Sequence, residues 1–195
     1  MNLIACIQLI GYMAVCSFTP GPGNILALNT TSQYGWKKSK PLIIGICAGY
    51  GAVQALCTVA LYELNQVFSA ILEMLHYVGA VYMLWLTYHI IISKPDLETE
   101  DKIPTFREGF LLQFVNVKIY FYITSLLSVY FIPNIPSAMG LAGAGAFAVS
   151  IGSLACLTWA FLGVKLQTIY SKHYKAANLI MGLFLVYCAW AIAFE

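Results

Sequence analysis

Thr19-Pro20-Gly21-Pro22-Gly23-Asn24 places two prolines, two glycines and an amide inside the first long apolar stretch of the chain. Each proline removes a backbone donor and clashes with the preceding turn, so a helix must break here. A helix resuming near Asn24 starts with unpaired N–H groups and a partial positive charge. Such an end suits the carboxylate of a small solute. Asn24 can cap that end or hydrogen-bond the solute directly. Pro20, Gly21, Pro22, Gly23 and Asn24 are therefore the first candidate binding residues. The competing reading is a kink that serves packing alone.

The second polar interruption is Gln113-Phe114-Val115-Asn116-Val117-Lys118, inside the fourth apolar stretch. A charge at the centre of a membrane span costs about 3 kcal/mol on insertion scales. If that span starts at Gly109, Lys118 lies about 14 Å along the axis, too deep to snorkel easily. Lys118 is thus a candidate for binding and for carrying a proton. Gln113 and Asn116 are three apart and share a helix face. They can offer amides to a ligand or bond across helices. Glu73 and His76 also share a face, which makes them candidates for proton relay, although a polar pair at the membrane interface explains them as well. Gln54 is a weaker candidate for lining a pathway.

These residues need a membrane frame. The chain is 61% hydrophobic and 9% charged, against about 25% charged in a soluble domain. Apolar runs predict spans near 3–31, 41–62, 67–93, 109–132, 138–166 and 174–194. Lys37, Lys38 and Lys40 fall after the first span, Lys94, Lys102 and Arg107 after the third, and Lys165, Lys172 and Lys175 around the end of the fifth. The positive-inside rule puts these connections in the cytoplasm and both termini outside.

The acidic stretch 94–108 then separates two three-span halves, 1–93 and 109–195, which together make one transmembrane domain. An odd number of spans inverts one half relative to the other. The expected fold is all-α, with six transmembrane helices in two inverted repeats and helix 1 broken at Pro20–Gly23.

Other signals are weaker. Gly45-Ile46-Cys47-Ala48-Gly49 permits close helix approach within a subunit or in a homodimer. Cys6, Cys16, Cys47, Cys57, Cys156 and Cys188 sit in apolar runs without a CxxC pair and read as small buried hydrophobes. No metal or cofactor motif, nucleotide-binding loop or hydrolase signature occurs, so an enzyme is not expected. The net charge of +2 gives no basis for nucleic-acid binding.

Residues 19–28, Thr-Pro-Gly-Pro-Gly-Asn-Ile-Leu-Ala-Leu, resemble the first signature of the lysine exporter (LysE/RhtB) family. Residues 112–118 resemble its second, and Leu185-Val186-Tyr187-Cys188-Ala189 also fits. The combination is most similar to the cysteine/O-acetylserine exporter branch. Two positions depart from the family pattern. Val117 stands where most relatives have proline, and Gly23 stands where asparagine is usual.

The resemblance implies a secondary exporter of small neutral amino acids in a bacterial inner membrane, driven by protons. Its partners would be an amino-acid substrate, protons and the bilayer. Two rival readings are a passive small-solute channel and a membrane thiol/electron carrier. The carrier needs exchangeable cysteines near both breaks. Cys16 is near the first, but the fourth span has none.

Overall fold

The computed structural model describes residues 3–63, 81–82, 84–92 and 104–194. Glu73 and His76, most of the third expected span and the acidic stretch up to residue 103 lie outside the described residues. Every regular element among the described residues is helical.

Helix α1 (Leu3–Phe18) is apolar along its length. Helix α2 (Pro22–Glu63) contains one residue off helical geometry, Gly35, with φ 71° and ψ 174°. This left-handed conformation is open to glycine at little cost. The chain doubles back there. A Cβ on Gly23 would lie 3.5 Å from Cγ2 of Ile46, whereas a straight helix would separate these residues by about 35 Å.

Residues 84–92 form α3. Helix α4 (Phe106–Phe114) and helix α5 (Val117–Ser125) meet at a bend of 57°. α5 continues into a π-helical turn, Leu126–Phe131, where Ile132 N–H donates to the Leu127 carbonyl at 2.9 Å. Helix α6 (Ala138–Phe194) leaves helical geometry at His173 (φ −128°, ψ 29°). It too turns back: Asn178 bonds Asn29, while the nearby Thr31 packs on Gly163.

Two details differ from the sequence expectation. The connections expected at 32–40 and 167–173 are helical up to and beyond their single turning residues, Gly35 and His173. The fourth stretch starts at Phe106 rather than Gly109, because Thr105 and Glu108 form a capping box. The Thr105 hydroxyl accepts from Glu108 N–H, and the Glu108 carboxylate accepts from Thr105 N–H at 2.5 Å. Two backbone donors that a helix start leaves open are thereby satisfied.

Residues 22–61 and 138–187 are long and apolar enough to cross a membrane, and the bent α4–α5 pair makes a third such stretch. Many large apolar side chains face outward, among them Val15 and Ile180 at 68% exposure. Apolar exposure of that extent exceeds what a soluble monomer tolerates.

Glycines set the tightest contacts inside. Gly45 and Gly49 pack on the α4 backbone at Phe106 and Phe110, and Gly109 packs on Leu42. The GxxxG face is therefore used within the subunit, against α4. The core divides into two apolar clusters. One gathers around Ile25, Leu42, Leu112 and Leu185. The other gathers around Met13, Val53, Ile123 and Leu127.

Candidate functional site

Between the two apolar clusters lies a cavity with about 530 Å³ of empty space, mouth included. It is lined by Gly21, Gly23 and Asn24 from the first break and by Gln113, Asn116 and Lys118 from the second. The two interruptions, almost a hundred positions apart in sequence, thus share one wall. Pro20 contributes its carbonyl to a contact with Lys118, described below, and Pro22 is the first residue of α2. Proline is well placed there, since the first helical N–H has no intrahelical acceptor to lose.

The broken backbone of α1 needs donors for its last carbonyls. Side chains from three elements supply them. Lys118 Nζ donates to the Thr19 carbonyl at 2.6 Å and to the Pro20 carbonyl at 3.4 Å. Asn24 Nδ2 donates to the carbonyls of Ser17 (2.9 Å) and Thr19 (3.2 Å). Trp159 Nε1 donates to the Phe18 carbonyl at 3.1 Å.

This changes the expected part played by Asn24. The helix resumes at Pro22, before Asn24, and the Asn24 amide reaches backward to close α1 rather than capping α2. The Gly21 carbonyl accepts the first α2 bond, from Ile25 N–H at 2.8 Å.

The glycines of the motif make room for the second break. A Cβ on Gly21 would lie 2.8 Å from Cδ of Lys118, and one on Gly23 would lie 3.2 Å from Nε2 of Gln113. The prolines break the helix, and the glycines let the other half approach the break. At the second break, Asn116 Nδ2 donates to Gln113 Oε1 at 3.3 Å, while buried Asn116 Oδ1 has no protein partner. An unpartnered acceptor in a cavity wall is a place for a ligand donor.

The remaining wall holds no residue that the sequence marked for cargo binding. It comprises Cys16, Ser17, Ile46, Cys47, Tyr50, Ile119, Tyr122, Gly152, Ser153 and Cys156. The Tyr50 ring packs against Gly152, its hydroxyl donates to the Ala148 carbonyl at 3.4 Å, and its ring centroid lies 6.5 Å from that of Tyr122. Tyr12 extends this aromatic layer, 5.8 Å from Tyr122 and 5.9 Å from Tyr130. Beyond Tyr50 is a second, apolar cavity lined by Gly51, Gln54, Thr58, Gly145 and Val149. Gln54 belongs to that cavity and not to the first.

The only available sequence signal for the wall was helical spacing. Ile46, Cys47 and Tyr50 lie on one face of α2, as do Gly152, Ser153 and Cys156 on α6. Nothing in spacing alone says that these faces meet. Among the described residues no group of three or more metal-binding side chains occurs.

The chain matches the LysE type translocator family over residues 14–195. It belongs to that family. The cysteine/O-acetylserine efflux protein of Salmonella typhi is 34% identical over 179 residues, covering 91% of this chain and 92% of the relative. The protein of the same name from Escherichia coli O1:K1 is 32% identical over 180 residues, with the same coverage. No solved structure matches. The translocator family explains why no enzyme constellation is found, and it agrees with the likeness carried by residues 19–28 and 112–118.

Proposed function

We propose that this translocator is a secondary exporter of small neutral amino acids, of the size of cysteine or O-acetylserine, from the cytoplasm of a bacterium across its inner membrane. One observation carries the reading. The Lys118 ammonium at the second break holds the broken end of α1 at the first, beside a cavity lined by both. Efflux relatives covering nine-tenths of the chain support the direction and the cargo.

In this reading the chain crosses the bilayer six times. α1 and the first arm of α2 make one broken crossing, and α4–α5 makes another. The lysine-bearing connections face the cytoplasm, both termini face outward, and the halves are inverted repeats.

The two breaks offer complementary charges to a zwitterion. The helix starts at Pro22 and Val117 favour a carboxylate, and Gly23, Asn24, Asn116 and Lys118 are the wall residues beside them. Asn116 Oδ1 and the carbonyl ends of α1 and α4 favour an ammonium. The soft, small surface of Ile46, Cys47, Ser153 and Cys156 suits a short side chain. A cargo carboxylate competes with the Thr19 and Pro20 carbonyls for Lys118. Binding therefore loosens the contact between the halves, and rocking exposes the site outside.

Proton coupling is assigned to Lys118, with Glu73 and His76 as further candidates. The resulting proton-driven exchange is antiport.

Proteoliposomes tested with a panel of labelled amino acids decide the matter. Counterflow of cysteine or O-acetylserine is expected, and silence across the panel rejects the cargo class. Uphill efflux that collapses on adding an uncoupler separates a coupled exporter from a passive channel.

A further inference from the structure

We propose that Cys47 and Cys156 form a disulfide under oxidising conditions, and that it staples the two halves of the molecule across the cavity and shuts it. The closing effect rests on the export reading above, whereas the disulfide itself does not.

The second arm of α2 and the first arm of α6 run antiparallel along a close seam. Gln54 lies on Gly145, then Tyr50 on Gly152, and one turn further along each helix Cys47 and Cys156 line the same cavity and pack in one cluster. Cys47, Ser153 and Cys156 line the same stretch of the cavity, and Cys47 packs against the apolar cluster that holds Cys156. Both cysteines are unbridged, and both line the cavity. Glycines on α6 receive the α2 side chains along this seam, and a disulfide needs such close facing of the two helices.

Cysteines in apolar helices ordinarily act as small hydrophobes, and Cys57 fits that description, fully buried and away from the cavity. Cys47 and Cys156 differ because they face each other from separate halves and meet the compartment through which a thiol cargo would pass.

The oxidant is a low-molecular-weight disulfide. Cys47, the more exposed of the two, loses its proton and attacks one sulfur of that disulfide. The small S–S bond breaks, and one small thiol leaves carrying a proton. A mixed disulfide now sits on Cys47. The Cys156 sulfur, deprotonated in turn, attacks the Cys47 sulfur and displaces the second small thiol. Two protein thiols are oxidised, one small disulfide is reduced to two thiols, and both protons leave with them. The new bond fixes the α2 arm to α6, one turn from Tyr50, where the halves must separate for cargo to pass. The state of the thiol pool would then set whether the exporter runs.

The test uses the full chain in proteoliposomes, treated with cystine. Labelled O-acetylserine serves as cargo because it carries no thiol. Peptide mass spectrometry without reductant should find Cys47 linked to Cys156 in the unaltered protein and in Cys57→Ser. The link should be absent from Cys47→Ser and Cys156→Ser. Counterflow should fall roughly tenfold or more on oxidation and return with dithiothreitol, and Cys47→Ser, which lacks the attacking thiol, should not show that drop.

Absence of the linked peptide overturns the disulfide. A linked peptide with undiminished counterflow overturns the closure. If the reduced protein moves no amino acid at all, it is the export reading that fails, and mass spectrometry still decides the disulfide. Closure is then read from Cys16, whose labelling by a small methanethiosulfonate should drop on oxidation.

Discussion

The two helix breaks reach one cavity by different routes. The first is made by covalent chemistry. Pro20 and Pro22 cannot continue a helix, and five donor contacts from Lys118, Asn24 and Trp159 satisfy the carbonyls that this leaves. The second contains no proline. It closes locally, with Val115 N–H donating to the Leu112 carbonyl (3.3 Å) and Asn116 N–H to the Gln113 carbonyl (3.4 Å), before α5 restarts at Val117. The first break therefore depends on the other half of the molecule for three of these five hydrogen bonds. The second supplies its own and leaves Asn116 Oδ1 over. A break that needs a partner ties the halves together, whereas a break with a spare acceptor is ready for a ligand.

Removing the tie should have the largest effect. Lys118→Ala leaves the half-buried Pro20 carbonyl without its lysine donor, at a cost below the roughly 1–3 kcal/mol of a fully buried unmet group, and it also removes the ammonium from the cavity wall. Counterflow should fall roughly tenfold or more at unchanged membrane abundance. Full activity in this variant removes Lys118 from the site.

Asn24→Ala takes two donors from α1 but leaves Lys118 on Thr19. A loss of about three- to tenfold is expected, with a lower melting temperature by fluorescence-detected size exclusion. Equal transport and melting in Asn24→Ala and the unaltered protein would show that the backward contact is idle.

Gly21→Ala tests the approach of the halves. The added methyl must displace the Lys118 stem, which is flexible, so a loss of about two- to fivefold is expected, smaller than that of Lys118→Ala. A greater loss would mean that the backbone, rather than the lysine stem, has to move.

Val117→Pro should do least. Residue 117 is the first residue of α5, where a missing N–H costs nothing. Transport within about twofold of the unaltered protein is expected. A collapse of folding or transport would show that Val117 N–H itself is used, and the second break would then depend on its partners much as the first does.

The sequence made parts of this legible and hid others. The first break could be read residue by residue because proline acts through its own ring. Lys118 stood out because an ammonium in an apolar run has to be accommodated. The direction of Asn24 was not legible. An asparagine near a helix start caps it in most settings, and only the nearness of the unfinished end of α1 turns this amide backward. The start at Phe106 is written in Thr105-x-x-Glu108, a capping box that lies just outside the apolar run. In the sequence Cys156 is one more small residue in an apolar run, with nothing to set it apart from the other cysteines. Cys47 and Cys156 reach the same cavity from separate helices, a meeting that no spacing within one helix can reveal.

By itself the sequence determined a membrane protein with two interrupted helices, because the length of apolar runs, the geometry of proline and the cost of a deep charge are local properties. The tertiary structure alone decided that the interruptions meet, that Gly21 and Gly23 are vacant for Lys118 and Gln113, and that tyrosines and cysteines complete the wall. Those outcomes depend on how separate helices pack, and that is fixed by the joint closing of backbone carbonyls and small-residue seams across the whole chain.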